Sequence, residues 1–122
     1  MAHHITVNGR EISQTAPVYV IAEMSANHAQ DFDQAVKIIE AAKEADADAV
    51  KLQTYTPDTM TIDCDNEYFR IKGTIWEGKK LYELYGEAYT PWDWQPKLKV
   101  IAESLGLDLF SSPFVGNCVI FQ

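Results

Sequence analysis

Val18-Tyr19-Val20-Ile21-Ala22-Glu23 and, roughly thirty residues on, Ala47-Asp48-Ala49-Val50-Lys51-Leu52-Gln53 decide how this chain is read. Each is an apolar run that stops on charge. A charge directly after a buried strand is costly unless the strand end opens onto a cleft, and in parallel α/β folds the carboxyl end is where ligands bind. Side chains alternate along a strand, so Lys51 and Gln53 share one face, as do Ile21, Glu23 and Ser25. An acid, a base and an amide then point into one mouth. Glu23 and Lys51 could also simply pair across adjacent strands, which is compatible with a catalytic role.

Between the two runs, Asp31 or Asp33 caps a helix reaching about Ala45. Ala35, Ile38, Ile39, Ala42 and Ala45 form its apolar stripe, with Lys37, Glu40, Lys43 and Glu44 toward solvent. The Ala45-Asp46-Ala47 turn leads into the second strand and completes a right-handed βαβ unit. Upstream, about residues 4–13 read as a hairpin around Asn8-Gly9. An isolated hairpin is marginal, so this one caps something larger. His3 and His4 read as a frayed terminus or tag remnant rather than a metal pair.

From Thr54 to Tyr89 the pattern loosens, broken by Pro57, Gly73 and Gly78, with a short helix over Lys79 to Ala88. A stretch this long reads as a functional loop. Its aromatic-rich part runs from Tyr68 to Trp94 and includes Trp76, Tyr82, Tyr85, Trp92 and Trp94; most of those rings read as packing. Thr90-Pro91-Trp92-Asp93 starts a helix that runs to about Leu105, burying Leu98, Ile101, Ala102 and Leu105 and ending at Gly106. A third strand, Leu107 to Ser112, finishes on small polar residues. Three parallel strands leave two open sheet edges. The spacing fits an α/β fold, either an incomplete TIM barrel or a small flavodoxin-like sheet.

Composition narrows the function. The chain has 122 residues, about half of an ordinary (β/α)8 barrel. Its 47% hydrophobic and 11% aromatic content argues for a packed globular protein. The net charge of −8 argues against nucleic acid or an anionic membrane as partner, so an anionic ligand must be held by a local cluster. There is no apolar run of membrane-spanning length and no signal-peptide core. Cys64 and Cys118 show no CxxC or zinc spacing, and a reduced, cytoplasmic protein is the plain reading. The mouth residues are Glu23, Ser25, Asn27, His28, Lys51, Gln53, Thr54, Ser111 and Ser112. Lysine with hydroxyls suits a phosphate or carboxylate, and a carboxylate suits proton transfer or a metal-bound water. Asn27-His28 could equally be turn chemistry, with His28 satisfied by a neighbour.

Ile21-Ala22-Glu23-Met24-Ser25-Ala26-Asn27-His28 and Asp48-Ala49-Val50-Lys51-Leu52-Gln53-Thr54-Tyr55-Thr56-Pro57-Asp58-Thr59 resemble the first two strands of the sialic acid synthase family. Leu81-Tyr82-Glu83-Leu84-Tyr85, Thr90-Pro91-Trp92-Asp93-Trp94 and Phe110-Ser111-Ser112-Pro113-Phe114 are most similar to its pseudaminic acid synthase branch. The blocks run in order from about Val18 to Phe114. The resemblance implies a partial TIM (β/α)8 barrel, its first three βα strands over about residues 18–122 plus the N-terminal hairpin. It implies a transferase that condenses phosphoenolpyruvate with a 2,4-diacetamido-2,4,6-trideoxy hexose. The product is a nine-carbon α-keto acid, with phosphate released.

By position, the resemblance makes Glu23 and Lys51 catalytic, with Lys51 and Ser112 holding phosphoenolpyruvate. Gln53 helps orient the substrates, and Asn27 and His28 occupy matching substrate-binding positions. A divalent metal, Mn2+ or Mg2+, would polarise the aldehyde, its main ligands lying outside this chain, and the complete enzyme would be a homodimer. The alternatives are an N-acetylneuraminate or legionaminate synthase, and a non-catalytic remnant or binding module. The sequence reads as an N-terminal fragment, inactive alone. Three departures stand out. Ala29-Gln30 and Asp46 occupy places where the family commonly has glycine, and Val115 stands where an acid is expected. The tail from residue 115 on is only faintly similar.

Overall fold

The computed structural model describes residues 4–115. His3, Cys118 and the divergent tail from residue 116 onward lie outside the described residues. Strands β1 (Ile5–Val7) and β2 (Arg10–Ile12) form the expected hairpin, with Asn8 and Gly9 at φ 46° and 79°. Both turn residues being left-handed matches the right-handed twist of the arms. The hairpin caps the amino ends of a parallel sheet made of β3 (Ile21–Glu23), β4 (Ala49–Thr54) and β5 (Asp108–Pro113). Asn8 Nδ2 donates to Asp108 Oδ1 at 2.7 Å, Arg10 pairs with Asp48, and Tyr19 Oη donates to Asp108 Oδ2 at 2.5 Å. The Val20 N–H and then Arg10 hold the Asp48 carboxyl below the usual range, while burial and then Asp108 push the Tyr19 phenol up to about 12. Charge at that end is therefore matched locally, and the carboxyl end is left open.

The strand order is β3-β4-β5, the order of the chain. Consecutive parallel neighbours joined through helices are the arrangement that a (β/α)8 barrel repeats around its circle. Helices α1 (Phe32–Glu44) and α4 (Trp94–Ser104) form one layer on the sheet. Ala35, Ile39 and Ala42 of α1 and Leu98 and Ala102 of α4 share a core with Val50 and Leu52 of β4, Met24 and Leu107. Asp31 caps α1, its side chain accepting from Gln34 N at 3.0 Å. The helix expected from Pro91 begins instead at Trp94. Pro96 lacks an N–H and would break a helix already under way, so the α-helix starts where Pro96 falls in its first turn. The residues before it form a tighter turn, with Trp94 N bonded to Pro91 O and Gln95 N to Trp92 O.

The loosely patterned stretch contains α2 (Pro57–Met60), a 3-10 turn at Glu67–Phe69 and α3 (Leu81–Ala88). An Arg70–Lys80 bridge closes the loop between the last two, and Tyr82 Oη ties α3 to Asp58 Oδ1 at 3.0 Å.

His28 is fully buried. Its Nδ1 accepts from Gln30 N at 3.0 Å, so Nε2 carries the proton and donates to Thr90 Oγ1 at 2.9 Å. Its ring packs edge-on against Trp94 at 5.5 Å. The neutral imidazole thus stitches the loop after β3 to the residues before α4, and burial lowers its pKa.

Two predictions follow from these local geometries. Helices α1 and α4 end alike: Ala47 N bonds Ala42 O and Asp46 N bonds Lys43 O, just as Leu107 N bonds Ala102 O and Gly106 N bonds Glu103 O. This is the Schellman pattern, which needs a left-handed residue. Gly106 supplies it at φ 75°, but Asp46 must adopt φ 58° against its Cβ. Asp46→Gly should raise unfolding stability by up to about 1 kcal/mol, and Gly106→Ala should lower it by about 1 kcal/mol, in denaturant titrations. For His28, the unfolded imidazole binds a proton more readily than the folded one. The resulting stability is complete above the unfolded pKa of about 6.5 and is lost as pH falls through it toward the lower folded value. The denaturation midpoint should fall across that window, and His28→Gln should flatten the pH dependence.

Candidate functional site

The face of β3, β4 and β5 away from the helices is open. Ile21 is 47% exposed and Phe110 38% exposed on it. In the parallel ladder Glu23 lies opposite Lys51, Lys51 opposite Phe110, and Gln53 opposite Ser112. Because Val50 and Leu52 are buried in the helix layer, Lys51 and Gln53 must face the other way. Lys51 Nζ sits 3.2 Å from Glu23 Oε2, and Gln53 Nε2 donates to Glu23 Oε1 at 3.2 Å. One carboxylate thus has a cation on one oxygen and an amide on the other. The Lys51 and Glu23 side chains are 29% and 45% exposed, so the pair contributes at most about 1 kcal/mol. An arriving anion could exchange with Glu23 for Lys51 at small cost. The freed carboxylate would remain beside it as a proton acceptor.

Ser112, next to last in β5, lies on this face by register. Thr54 and Ser111, expected at the mouth, are corrected by the same alternation. Both are buried on the helix side, their hydroxyl oxygens 2.6 Å apart, with Gln95 Nε2 donating to Thr54 Oγ1 at 2.7 Å. The expectation that His28 contacts substrate is corrected too, since its ring is buried and both nitrogens are engaged within the protein. Asn27 stays at the surface in the turn after β3, its Nδ2 donating to Met24 O at 3.0 Å.

Beside the Glu23–Lys51–Gln53 group lies a cleft of about 870 Å³, lined among others by Ser25, Asn27, Gln53, Tyr55, Trp76 and Tyr85. Gln53 belongs to both. Of the aromatic-rich segment, Trp76 and Tyr85 reach the cleft, whereas Trp94 packs between His28 and Phe32 and Tyr82 binds Asp58. Tyr55 was not singled out by sequence. Its position directly after the strand residue Thr54 was the available signal, and it is 4% exposed, edge-on to Tyr85 at 5.6 Å.

Among the described residues, no group of three His, Cys, Asp or Glu side chains is placed to hold a metal ion, and Glu23 is already engaged on both oxygens. These residues do not fit a divalent metal by themselves. No helix among the described residues is long and apolar enough to cross a membrane.

The NeuB family pattern matches residues 38–121. The pseudaminic acid synthase of Campylobacter jejuni serotype O:2 is 51% identical over 104 residues, covering 85% of this chain and 30% of that protein. The pseudaminic acid synthase of Helicobacter pylori is 49% identical over 98 residues, covering 80% of this chain and 29% of that protein. This chain therefore spans about 30% of the length of the curated relatives it matches. In fold it is similar to the N-acetylneuraminic acid (sialic acid) synthetase of Leptospira borgpetersenii, crystallised with citrate. That match has a TM-score of 0.77 at 24% identity, over 98% of this chain and 37% of that one. With more than half of its residues matched by the family pattern, this chain belongs to the NeuB family.

Proposed function

We propose that this chain forms the first three strand units of a cytoplasmic pseudaminic acid synthase barrel and carries part of its active site. The reaction joins phosphoenolpyruvate to a 2,4-diacetamido-2,4,6-trideoxy hexose. The methylene carbon of phosphoenolpyruvate attacks the aldehyde carbon, whose oxygen takes up a proton and becomes a hydroxyl. A water oxygen adds to the adjacent, phosphate-bearing carbon, the bond from that carbon to the phosphate oxygen breaks, and the ketone forms; of the water's two protons one balances the new hydroxyl and the other leaves with phosphate. The products are a nine-carbon α-keto acid and phosphate. The rest of the barrel, the metal ligands and a second subunit belong, on this reading, to the complete protein.

The observation that carries the reading is Glu23 held between Lys51 and Gln53 at the carboxyl ends of adjacent parallel strands. Lys51 and Ser112 hold the phosphoenolpyruvate anion, and Gln53 orients the partners. Once phosphoenolpyruvate draws Lys51 away, the Glu23 carboxylate is freed to handle protons at the sugar aldehyde. The roughly 50% identity to two pseudaminic acid synthases supports the diacetamido sugar over N-acetylmannosamine. The aromatic-walled cleft, whose charged lining residue Glu87 is paired with Lys79, suits its methyl and acetyl groups better than the extra hydroxyls of N-acetylmannosamine.

A chimera tests this: residues 18–114 replace the matching segment of the Campylobacter jejuni relative. The chimera should release phosphate from phosphoenolpyruvate with the diacetamido-trideoxy altrose sugar, at higher kcat/KM than with N-acetylmannosamine. Equal or reversed preference would move the assignment to the neuraminate branch. In the chimera, Lys51→Met should lower kcat/KM for phosphoenolpyruvate roughly ten- to over a hundredfold, the loss of one charge-assisted contact of about 1.5–3 kcal/mol. Glu23→Gln should depress kcat more than KM. Near-native kinetics in both variants would refute the residue roles. The 122-residue chain alone should show no turnover, because positioning and metal activation are both incomplete.

A further inference from the structure

Gly86 lies within α3, which continues two residues beyond it, and its φ is not left-handed. A helix-interior glycine is less stable than alanine, and it is usually kept for a positive φ or a close approach. Neither reason applies. A Cβ built at Gly86 meets only Pro57 Cγ, at 3.7 Å, which is ordinary contact. The fold would accept alanine here, yet α3 carries the residue that, proline apart, has the weakest hold on a helix. Gly86 lines the cleft that shares Gln53 with the Glu23–Lys51 pair.

The chemistry of that cleft limits its occupant. Glu87 is the charged residue among those lining it, and Lys79 Nζ neutralises Glu87 at 2.5 Å while also sitting over the Trp76 ring at 5.5 Å. The lining offers no unpaired cation, so the cleft does not suit a phosphate or carboxylate. Asn27 and Gln53 bring amides to one side, and Tyr55, Tyr85 and Trp76 bring ring surface. Amides beside rings, without net charge, match a neutral acylamino group: the amide hydrogen bonds and the methyl lies on the rings.

We infer that Gly86 keeps the wall of this cleft bare so that an acylamino substituent of the sugar substrate can lie against α3, making it a specificity-determining position. The inference rests on the function proposed above and adds the residue that admits the sugar. Gly86 is exposed on the cleft wall, so a side chain longer than a methyl, with its Cβ already against Pro57, would narrow the space beside it.

The chimera that carries residues 18–114, and its Gly86→Ala and Gly86→Leu variants, test this with three measurements. These are the denaturation midpoint, calorimetric binding of phosphoenolpyruvate, and saturation-transfer NMR titration of 2,4-diacetamido-2,4,6-trideoxy altrose, read at its acetyl methyls. Gly86→Ala should raise the midpoint, and Gly86→Leu should weaken the sugar by at least about tenfold. Phosphoenolpyruvate affinity should stay unchanged in both. A lower midpoint for Gly86→Ala would show that the fold itself requires the glycine and would overturn the inference. So would unchanged sugar affinity in Gly86→Leu, or an unsubstituted chimera that binds phosphoenolpyruvate but not the sugar. Failure of the unsubstituted chimera to bind either ligand would overturn the underlying functional reading as well.

Discussion

The pairing of Ile21 through Glu23 with Ala49 through Lys51 is the constraint on which the rest of this structure depends. Val50 and Leu52 have to be buried beneath α1 and α4, and the pleat then turns Lys51 and Gln53 to the open face. The parallel register sets Glu23 beside Lys51, so the ion pair is a consequence of how the core is filled. A slip of one residue would face the lysine into an apolar helix layer, where an unpaired charge is strongly disfavoured. Burial of the aliphatic positions and placement of the polar ones are a single requirement seen from two sides.

The two ends of the sheet are treated differently. At the amino end, Asp48 and Asp108 are matched by Arg10, Asn8, Tyr19 and the Val20 N–H, so their polar groups are consumed in seating the hairpin. At the carboxyl end, Glu23 has partners that are themselves partly exposed and exchangeable. In an acidic chain of net charge −8, this lysine places a local positive charge at the open end of the sheet.

The turn after β3 holds strain beside the site. Ser25, Ala29 and Gln30 adopt φ of 52°, 49° and 57°, three left-handed non-glycine residues in six positions. Several bonds hold the turn in this shape: Asn27 to the Met24 carbonyl, His28 to Thr90, and Gln30 Nε2 to the Tyr89 carbonyl at 2.7 Å. The loop that carries Ser25 and Asn27 to the cleft is therefore fixed through contacts with the residues before α4, far away in sequence.

The sequence by itself determined the βαβ unit, the Asn8-Gly9 hairpin and the face shared by Lys51 and Gln53, because period-two alternation, turn chemistry and helix caps are local properties. The family resemblance also marked Ala29-Gln30 and Asp46 as standing where glycine is common, and all three are left-handed positions. Pro96 is a local signal for the start of α4 as well, because proline is tolerated in a first turn and not further in. Only the tertiary structure decided that His28 is a buried stitch rather than a mouth residue, since its partners Thr90 and Trp94 lie more than sixty residues away. The flat order of the three strands and the packing of α3 beside the β3 turn were likewise set by long-range contacts. No local pattern encodes which distant surfaces meet, and that meeting created the cleft in which Gly86 acquires a role.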